Sequence, residues 1–338
     1  TPEAGYESRT LTVESGRERL ELTDVLIGDV WFVGGQSNMQ MSFRGNPDQP
    51  IENAQRILLR SNRPGIRLFR VENGYALAPS DTLRIDGSWG PADPEHVKEF
   101  SVVGYVFGEK IHEVTGIPIG LVQSAHGGST AEAWLDRTVL ERFGGFDLEL
   151  TPAKTDPVWY AVLPTVLYNR MLAPLLPMSV KGVIWYQGEG NLTNTWGYDA
   201  LFRMLITSWR TAWNNPEMPF LFVQLPNWGG HRDPQVMNDQ VFASENPTPR
   251  GLWPAMRQMQ SSALLLPHTG MAVTIDIGEG HDIHPRNKQD VAKRLALQAR
   301  KVAYGETALV ADGPCIRSLE KMKGKVRVRF KNSGSGLV

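Results

Sequence analysis

Cysteine is nearly absent from this sequence, since Cys315 is the single one among 338 residues. One thiol cannot form a disulfide within the chain, and it cannot supply a metal site built from several cysteines. The count therefore excludes disulfide-stapled scaffolds and multi-cysteine metal centres. It is compatible with both a reducing cytosol and a bacterial periplasm.

An excess of charge and long apolar runs are lacking as well. The formal net charge is −1, with 35 Lys and Arg against 36 Asp and Glu. No apolar run approaches the ~20 residues that a membrane-spanning helix needs. We therefore expect a soluble protein that binds neither nucleic acid nor a membrane surface. The chain begins at Thr1 without an initiator Met, so we expect that a leader or a preceding domain has been removed.

Short apolar runs alternate along the chain with segments of helical periodicity. The runs are Asp29–Val33, Ile66–Val71, Ile119–Gln123, Gly182–Tyr186, Phe220–Leu225 and Met271–Ile275. Runs of this kind are typical of strands that are buried on both faces of a parallel sheet. We predict a doubly wound α/β fold, flavodoxin-like, with a mainly parallel sheet flanked by helices. Ligands of such folds bind at the carboxyl ends of the strands.

The two ends of the chain have a different pattern. Thr10–Val13 and Leu20–Leu22 read as short strands, and Val326–Phe330 alternates apolar and basic residues. We predict that both ends are parts of accessory β modules, with small β segments at residues 1–23 and 306–338 around one α/β domain at residues 24–305.

Ser37 lies in a glycine-rich turn, Gly34–Met39, directly after the predicted strand Asp29–Val33. A serine on such a turn is exposed at the edge of the sheet, and the following helix offers N–H groups to an oxyanion. The alternative is that Ser37 only caps that helix. The common hydrolase pattern Gly-x-Ser-x-Gly is not completed, because Met39 stands at its second glycine.

A histidine loop follows the last predicted strand. His284 can serve as the base that a serine nucleophile needs, and Asp282 can orient its imidazole. Asp276 and Glu279 are alternative carboxylates for that role. His281 and His284 could also suggest a metal pair, but a third ligand at suitable spacing is missing. We therefore predict no metal and no other cofactor.

Two more polar clusters follow the predicted strands at Ile119–Gln123 and Gly182–Tyr186. The glycine pair Gly127 and Gly128 can turn backbone N–H groups toward an anion, or it can be a plain turn. Gln187 and Asn191 carry neutral amides that can donate to an oxyanion. Glu189 beside them is either catalytic or a buried structural carboxylate.

In their order along the chain, these clusters resemble the SGNH hydrolases, and within them the sialate O-acetylesterase and related carbohydrate acetylesterase group. The resemblance covers roughly Asp24 to Ala303. The matching blocks are Gly28–Trp31 with Gly35–Met39, Gly127–Ser129 with Glu132–Trp134, Trp185–Glu189, and Asp282–Pro285 with Asn287 and Lys288.

The resemblance implies a role for each matching residue. Ser37 would be the nucleophile, His284 the base and Asp282 its orienting acid. The oxyanion donors would be the N–H groups of Ser37 and Gly128 and a side-chain amide, from Gln187 or Asn191. The remaining residues that we assign to substrate binding are Gln36, Asn38, Gly127 and Glu189.

The sequence departs from the wider superfamily at two places. The superfamily places its acid three residues before the histidine, where this chain has His281. Its amide donor is usually an Asn after a Gly, whereas here Gln187 precedes Gly188.

The resemblance implies a serine esterase that removes O-acetyl groups from carbohydrates, foremost from O-acetylated sialic acid, through an acetyl-serine. Deacetylation of acetylxylan by the same residues is one alternative, and a noncatalytic carbohydrate-binding protein is another. The implied location is secreted or periplasmic. The partner would be an acetylated carbohydrate, and the sequence does not fix the oligomeric state.

Overall fold

The computed structural model describes residues 4–79, 87, 89–151, 160–192, 195, 197–229, 249–334 and 336. Its strands are β1 (Gly5–Ser15), β2 (Glu18–Ile27), β3 (Asp29–Gly35), β4 (Arg63–Arg70), β5 (Trp89–Ala92), β6 (Ile119–Ala125), β7 (Gly182–Tyr186), β8 (Phe220–Val223), β9 (Thr269–Ala272), β10 (Cys315–Met322) and β11 (Lys325–Lys331). Its α-helices are α1 (Ser37–Gln40), α2 (Ala54–Leu58), α3 (Pro94–Lys98), α4 (Val102–Thr115), α5 (Arg137–Phe143), α6 (Tyr198–Ala212), α7 (Pro249–Ser261) and α8 (Lys288–Val302).

Seven of these strands form one sheet, in the order β5-β4-β6-β3-β7-β8-β9. Every neighbouring pair is parallel except β4 and β5, which are antiparallel at one edge. The prediction of a mainly parallel, doubly wound sheet is therefore confirmed. The order places β3 in the middle, between β6 and β7, so that the segments after these three strands meet at one edge.

Helices cover both faces of the sheet, as the continuous hydrophobicity of its strands requires. Trp31 and Phe32 are neighbours on β3, and both are fully buried. Because successive side chains of a strand point to opposite faces, the two rings lie on different sides of the sheet. Trp31 packs against Phe107 of α4 with ring centroids 5.0 Å apart. Phe32 packs against Trp209 of α6 at 5.4 Å.

The strand predictions hold for each apolar run, with differences at the ends. β9 stops at Ala272, short of the predicted Ile275, because Val273 and Ile275 are already exposed. β5 was not predicted, since its four residues include a glycine and a proline. The sequence also predicts a loop-rich stretch from Asn227 to Gly251, with several Pro, Asn and Gly residues, and this stretch lies mostly outside the described residues.

The ends of the chain form two hairpins, β1 with β2 and β10 with β11, each a separate two-stranded sheet. β2 continues to Ile27, and β3 begins two residues later. The division into modules at residues 23 and 306 stays a prediction. Among the described helices, none combines the length and the apolar character needed to cross a bilayer.

Candidate active site

The turn after β3 places Ser37 at the carboxyl edge of the sheet. Gly35 has a φ of +139°, and a Cβ there would lie 2.1 Å from the carbonyl oxygen of Tyr186 on the neighbouring strand. Only glycine fits that position without moving the backbone. Gln36 is extended and donates its N–H to the same carbonyl at 2.9 Å. The chain then enters α1, whose first residue is Ser37.

The hydroxyl of Ser37 faces the imidazole of His284, although 247 residues separate them in the chain. Ser37 Oγ lies 2.9 Å from His284 Nε2, which is hydrogen-bonding distance. Burial lowers the pKa of His284, the positive charge of Lys288 lowers it further, and the negative charge of Asp282 opposes both. The imidazole is therefore neutral at neutral pH, the form in which Nε2 can accept a proton.

Asp282 lies beside His284 but contacts its backbone. Asp282 Oδ1 accepts a hydrogen bond from the backbone N–H of His284 at 2.8 Å and another from Gln49 Nε2 at 2.6 Å. Within the part of the chain that the structure describes, no carboxylate lies within hydrogen-bonding distance of His284 Nδ1. Asp282 therefore shapes the loop and acts on the ring through its charge.

The two alternative carboxylates are bound to arginines. Asp276 forms a two-point contact with Arg294, at 2.6 and 2.7 Å. Glu279 accepts from the backbone N–H of Arg286 at 2.9 Å and from its Nε at 3.0 Å. Neither is hydrogen-bonded to the imidazole, so Asp282 is the carboxylate whose charge acts on it.

The Gly127-Gly128 turn lies against Ser37. A Cβ built on Gly127 would be 3.6 Å from the Cβ of Ser37. The Gly127 N–H donates to Gln40 Oε1 at 2.8 Å, whereas the N–H groups of Ser37 and Gly128 have no acceptor among the described residues. Gly128 has a φ of +70° and open space around it. Two N–H groups next to the hydroxyl are thus available to an oxyanion.

The amides of Gln187 and Asn191 donate to groups inside the protein. Gln187 Nε2 donates to the Ser129 carbonyl at 3.1 Å and to Asn191 Oδ1 at 2.7 Å. Asn191 Nδ2 donates to Glu132 Oε2 at 2.8 Å. All three polar side chains are buried, and burial raises the pKa of Glu132 against the effect of its hydrogen bonds. These contacts join the loop after β7 to the segment after β6.

A buried polar cluster around Asn38 connects the serine turn to the histidine loop. Asn38 Nδ2 donates to Glu189 Oε1 at 2.6 Å and to the carbonyl of Ile283 at 2.9 Å. Lys288 Nζ donates to Asn38 Oδ1. Because Asn38 follows Ser37 and Ile283 precedes His284, this one amide fixes both backbones relative to each other.

Lys288 also belongs to this cluster. It is part of a sequence motif that carries the family resemblance, but the sequence alone did not assign it a role. Its side chain is 1% exposed, and burial lowers its pKa to about 7, although Glu189 and two other carboxylates act in the opposite direction. Burial likewise raises the pKa of Glu189. The sequence contains a sign that Lys288 has a structural role, because a lysine in the first turn of a helix opposes the helix dipole and needs a compensating contact.

A cavity of about 420 Å³ opens beside Ser37. Its polar lining includes Ser37, Gln40, Asn46, Arg70, Glu72, Asn73, Glu99 and Gln123. Of the four residues that we assigned to substrate binding from the sequence, Gly127 lies against Ser37, and Gln36, Asn38 and Glu189 are buried beneath the turn. In the described ranges, no three His, Cys, Asp or Glu side chains gather as metal ligands.

Comparison with known proteins identifies the family. A sequence model of the carbohydrate esterases described as sialic acid-specific acetylesterase matches residues 27–249. The chain belongs to this family. The resemblance seen in the sequence motifs is thereby confirmed.

Two sialate O-acetylesterases share about a third of their aligned residues with this chain. Sialate O-acetylesterase from Homo sapiens is 33% identical over 341 residues, which are 93% of this chain and 61% of that protein. The enzyme of the same name from Rattus norvegicus is 32% identical, over 91% of this chain and 62% of its own length. The chain thus spans about three fifths of the length of these relatives.

Solved structures agree with the fold. A carbohydrate acetylesterase from Xanthomonas citri superposes with a TM-score of 0.79 at 38% identity, covering 96% of this chain and 67% of its own. A protein from Arabidopsis thaliana has a TM-score of 0.51 at 18% identity, covering 82% of this chain and 98% of its own. The second likeness concerns the fold alone.

Proposed function

We propose that this protein is a serine esterase that removes O-acetyl groups from carbohydrates, with O-acetylated sialic acid as its substrate. The observation that carries the proposal is the distance of 2.9 Å between Ser37 Oγ and His284 Nε2 at the wall of a polar cavity. Membership of the sialic acid-specific acetylesterase family supports the choice of substrate.

The proposed reaction begins with attack of Ser37 Oγ on the acetyl carbonyl carbon, while His284 Nε2 takes the hydroxyl proton. The carbonyl oxygen becomes an oxyanion, and the N–H groups of Ser37 and Gly128 donate to it. The bond to the sugar oxygen then breaks, and His284 returns the proton to that oxygen. The free sugar hydroxyl and an acetyl-serine result.

The second half repeats the same steps with water. His284 takes a proton from a water molecule, whose oxygen attacks the acetyl-serine carbonyl. The tetrahedral species collapses to acetic acid, which ionises to acetate, and the proton on His284 goes back to Ser37 Oγ. In this scheme Gln187 and Asn191 support the loops that carry the oxyanion donors, and Asp282 stabilises the imidazolium electrostatically. No step requires a metal or an organic cofactor.

Replacement of Ser37 by Ala tests the proposal. Acetate release from O-acetylated sialic acid and from a small acetyl ester should fall by about 10⁴-fold or more, because the nucleophile and the proton it gives to His284 are both lost. Ser208→Ala is a matched control, since that hydroxyl donates to the Leu205 carbonyl of its own helix. Undiminished turnover by Ser37→Ala would refute the mechanism.

The same assay separates the alternatives. Faster acetate release from acetylated xylo-oligosaccharides than from O-acetylated sialic acid would assign the protein to hemicellulose deacetylation. Binding of either sugar without acetate release by the unaltered protein would indicate a noncatalytic carbohydrate-binding role.

We also infer that the protein is secreted or periplasmic, as the resemblance to the sialate O-acetylesterase group implies. Fractionation of producing cells would test this, and recovery in the cytosol alone would contradict it.

A further inference from the structure

Arg70 lies at the carboxyl end of β4 and lines the same cavity as Ser37. It is the one cationic side chain among the described residues that line this cavity. Its guanidinium forms no hydrogen bond and no ion pair within the ranges that the structure describes, unlike Arg67 on the same strand, which is bound to Asp24. An arginine of this kind has its donors available for a ligand.

The acidic residues of the cavity differ in how far they are neutralised. Glu99 accepts a hydrogen bond from Arg44 Nε at 2.7 Å. Its pKa is lowered chiefly by that bond, then by the charge of Arg44, and less by the charges of Lys98 and Arg70. Glu72 also lines the cavity, is exposed, and has no ion pair among the described residues. Arg70 therefore faces one paired and one unpaired carboxylate.

The sheet order sets the separation between Arg70 and the reacting hydroxyl. β4 and β3 are two strands apart with β6 between them, and both end at the same edge. With neighbouring strands ~4.8 Å apart, the ends of β4 and β3 are separated by about 10 Å. A group bound at Arg70 thus belongs to the same substrate molecule as the ester at Ser37, but not to its acetyl group.

We propose that Arg70 binds the carboxylate of an acidic sugar while Ser37 attacks an O-acetyl group on another part of the same sugar. The inference rests on the proposed function and adds the residue that distinguishes acidic from neutral substrates. A guanidinium can donate two parallel hydrogen bonds to a carboxylate, which gives both affinity and orientation. Sialic acid has its carboxylate at one end of the molecule and O-acetyl groups toward the other, as this spacing requires.

The experiment compares O-acetylated sialic acid with its carboxamide, which has the same shape but no negative charge. The unaltered enzyme should prefer the acid. Arg70→Gln should lower kcat/KM for the acid by roughly ten- to a hundredfold, the range expected for hydrogen bonds to a charged group. Its kcat/KM for the carboxamide should fall far less, so that the preference disappears. Arg70→Lys should keep part of it, because the charge remains without the planar donors.

Two further variants complete the test, one as a control and one as a second prediction. Arg67→Gln removes the same charge from the same strand, at a residue that does not line the Ser37 cavity, and should leave both substrates unaffected. Glu72→Gln removes a carboxylate near the substrate and should raise kcat/KM for the acid by roughly two- to fivefold.

The results distinguish the two proposals. No acetate release from either sialic acid derivative by the unaltered enzyme would refute the proposed function itself. Release from both at equal rates, or equal losses on both in Arg70→Gln, would leave the esterase intact and overturn the assignment of Arg70.

Discussion

Replacement of Asp282 by Asn is the most informative change in the candidate site. The carboxylate contacts Gln49 and the backbone N–H of His284 through the same oxygen, Oδ1. An asparagine can keep an oxygen in that place, so both contacts persist. The change therefore removes the negative charge and leaves the loop where it is.

The expected loss of activity is moderate, because Asp282 does not contact the imidazole ring of His284. In serine triads whose acid accepts a hydrogen bond from the imidazole, the same change costs about 10⁴-fold in kcat. Here the acid is bonded to the backbone of His284, and only its charge acts on the ring. Exposed ion pairs are worth up to ~1 kcal/mol, and we take the same order for a carboxylate that acts on the ring only through its charge. We therefore expect kcat/KM to fall by about five- to tenfold.

The pH dependence of kcat/KM is a second, independent test of the role of Asp282. The charge of Asp282 raises the pKa of His284, in opposition to burial and to Lys288. Without that charge the pKa falls, and the acidic limb of kcat/KM should move to lower pH. The measurement is acetate release across the acidic range. Asp276→Asn is the matched control, because that carboxylate is bound to Arg294 and should leave the acidic limb in place. A loss near 10⁴-fold in Asp282→Asn would refute the reasoning and indicate a direct contact with Nδ1 during catalysis.

Two other substitutions have outcomes that the structure determines. Lys288→Met removes a positive charge that lowers the pKa of His284, so the acidic limb of kcat/KM should move to higher pH, opposite to Asp282→Asn; an unmoved limb would contradict this. Gly35→Ala should lower the free energy of unfolding in urea by about 3 kcal/mol or more, because its Cβ would collide with the Tyr186 carbonyl. Gly16→Ala is the control, because Gly16 has a φ of +62° but no atom near a built Cβ, and it should lower the free energy of unfolding by only about 1 kcal/mol. Equal losses in the two variants would contradict the predicted collision at Gly35.

The sheet and the Ser37–His284 pair could be predicted from the sequence for a physical reason. Strands buried on both faces leave continuous apolar runs, and parallel strands gather their carboxyl ends at one edge. Ser37 follows one such run directly and His284 lies in the loop after another, so the topology brings their loops to one edge. The distance of 2.9 Å between their side chains is a property of the packed structure.

The hydrogen-bond partner of each polar side chain in the site could not be predicted in the same way. Gln187 and Asn191 are amides in the right loop, but their N–H groups donate to Ser129 and Glu132 because the loop after β7 packs against the segment after β6. Asp282 stands near the base in sequence, yet its oxygen is directed to a backbone N–H. A sequence shows which groups are present in a loop, whereas the direction of each hydrogen bond depends on neighbours that are distant in the chain.

The buried cluster of Asn38, Glu189 and Lys288 explains how a site assembled from distant segments keeps its geometry. Burying a lysine and a glutamate is costly, as the lowered pKa of one and the raised pKa of the other indicate. A purely apolar contact between the serine turn and the histidine loop would avoid that cost, but it would not fix their relative position. The Asn38 amide bonds to Ile283, Glu189 and Lys288 at once, which permits one register between the two loops. The unfavourable free energy of burying Lys288 and Glu189 is therefore consistent with selection for the position of His284 rather than for stability.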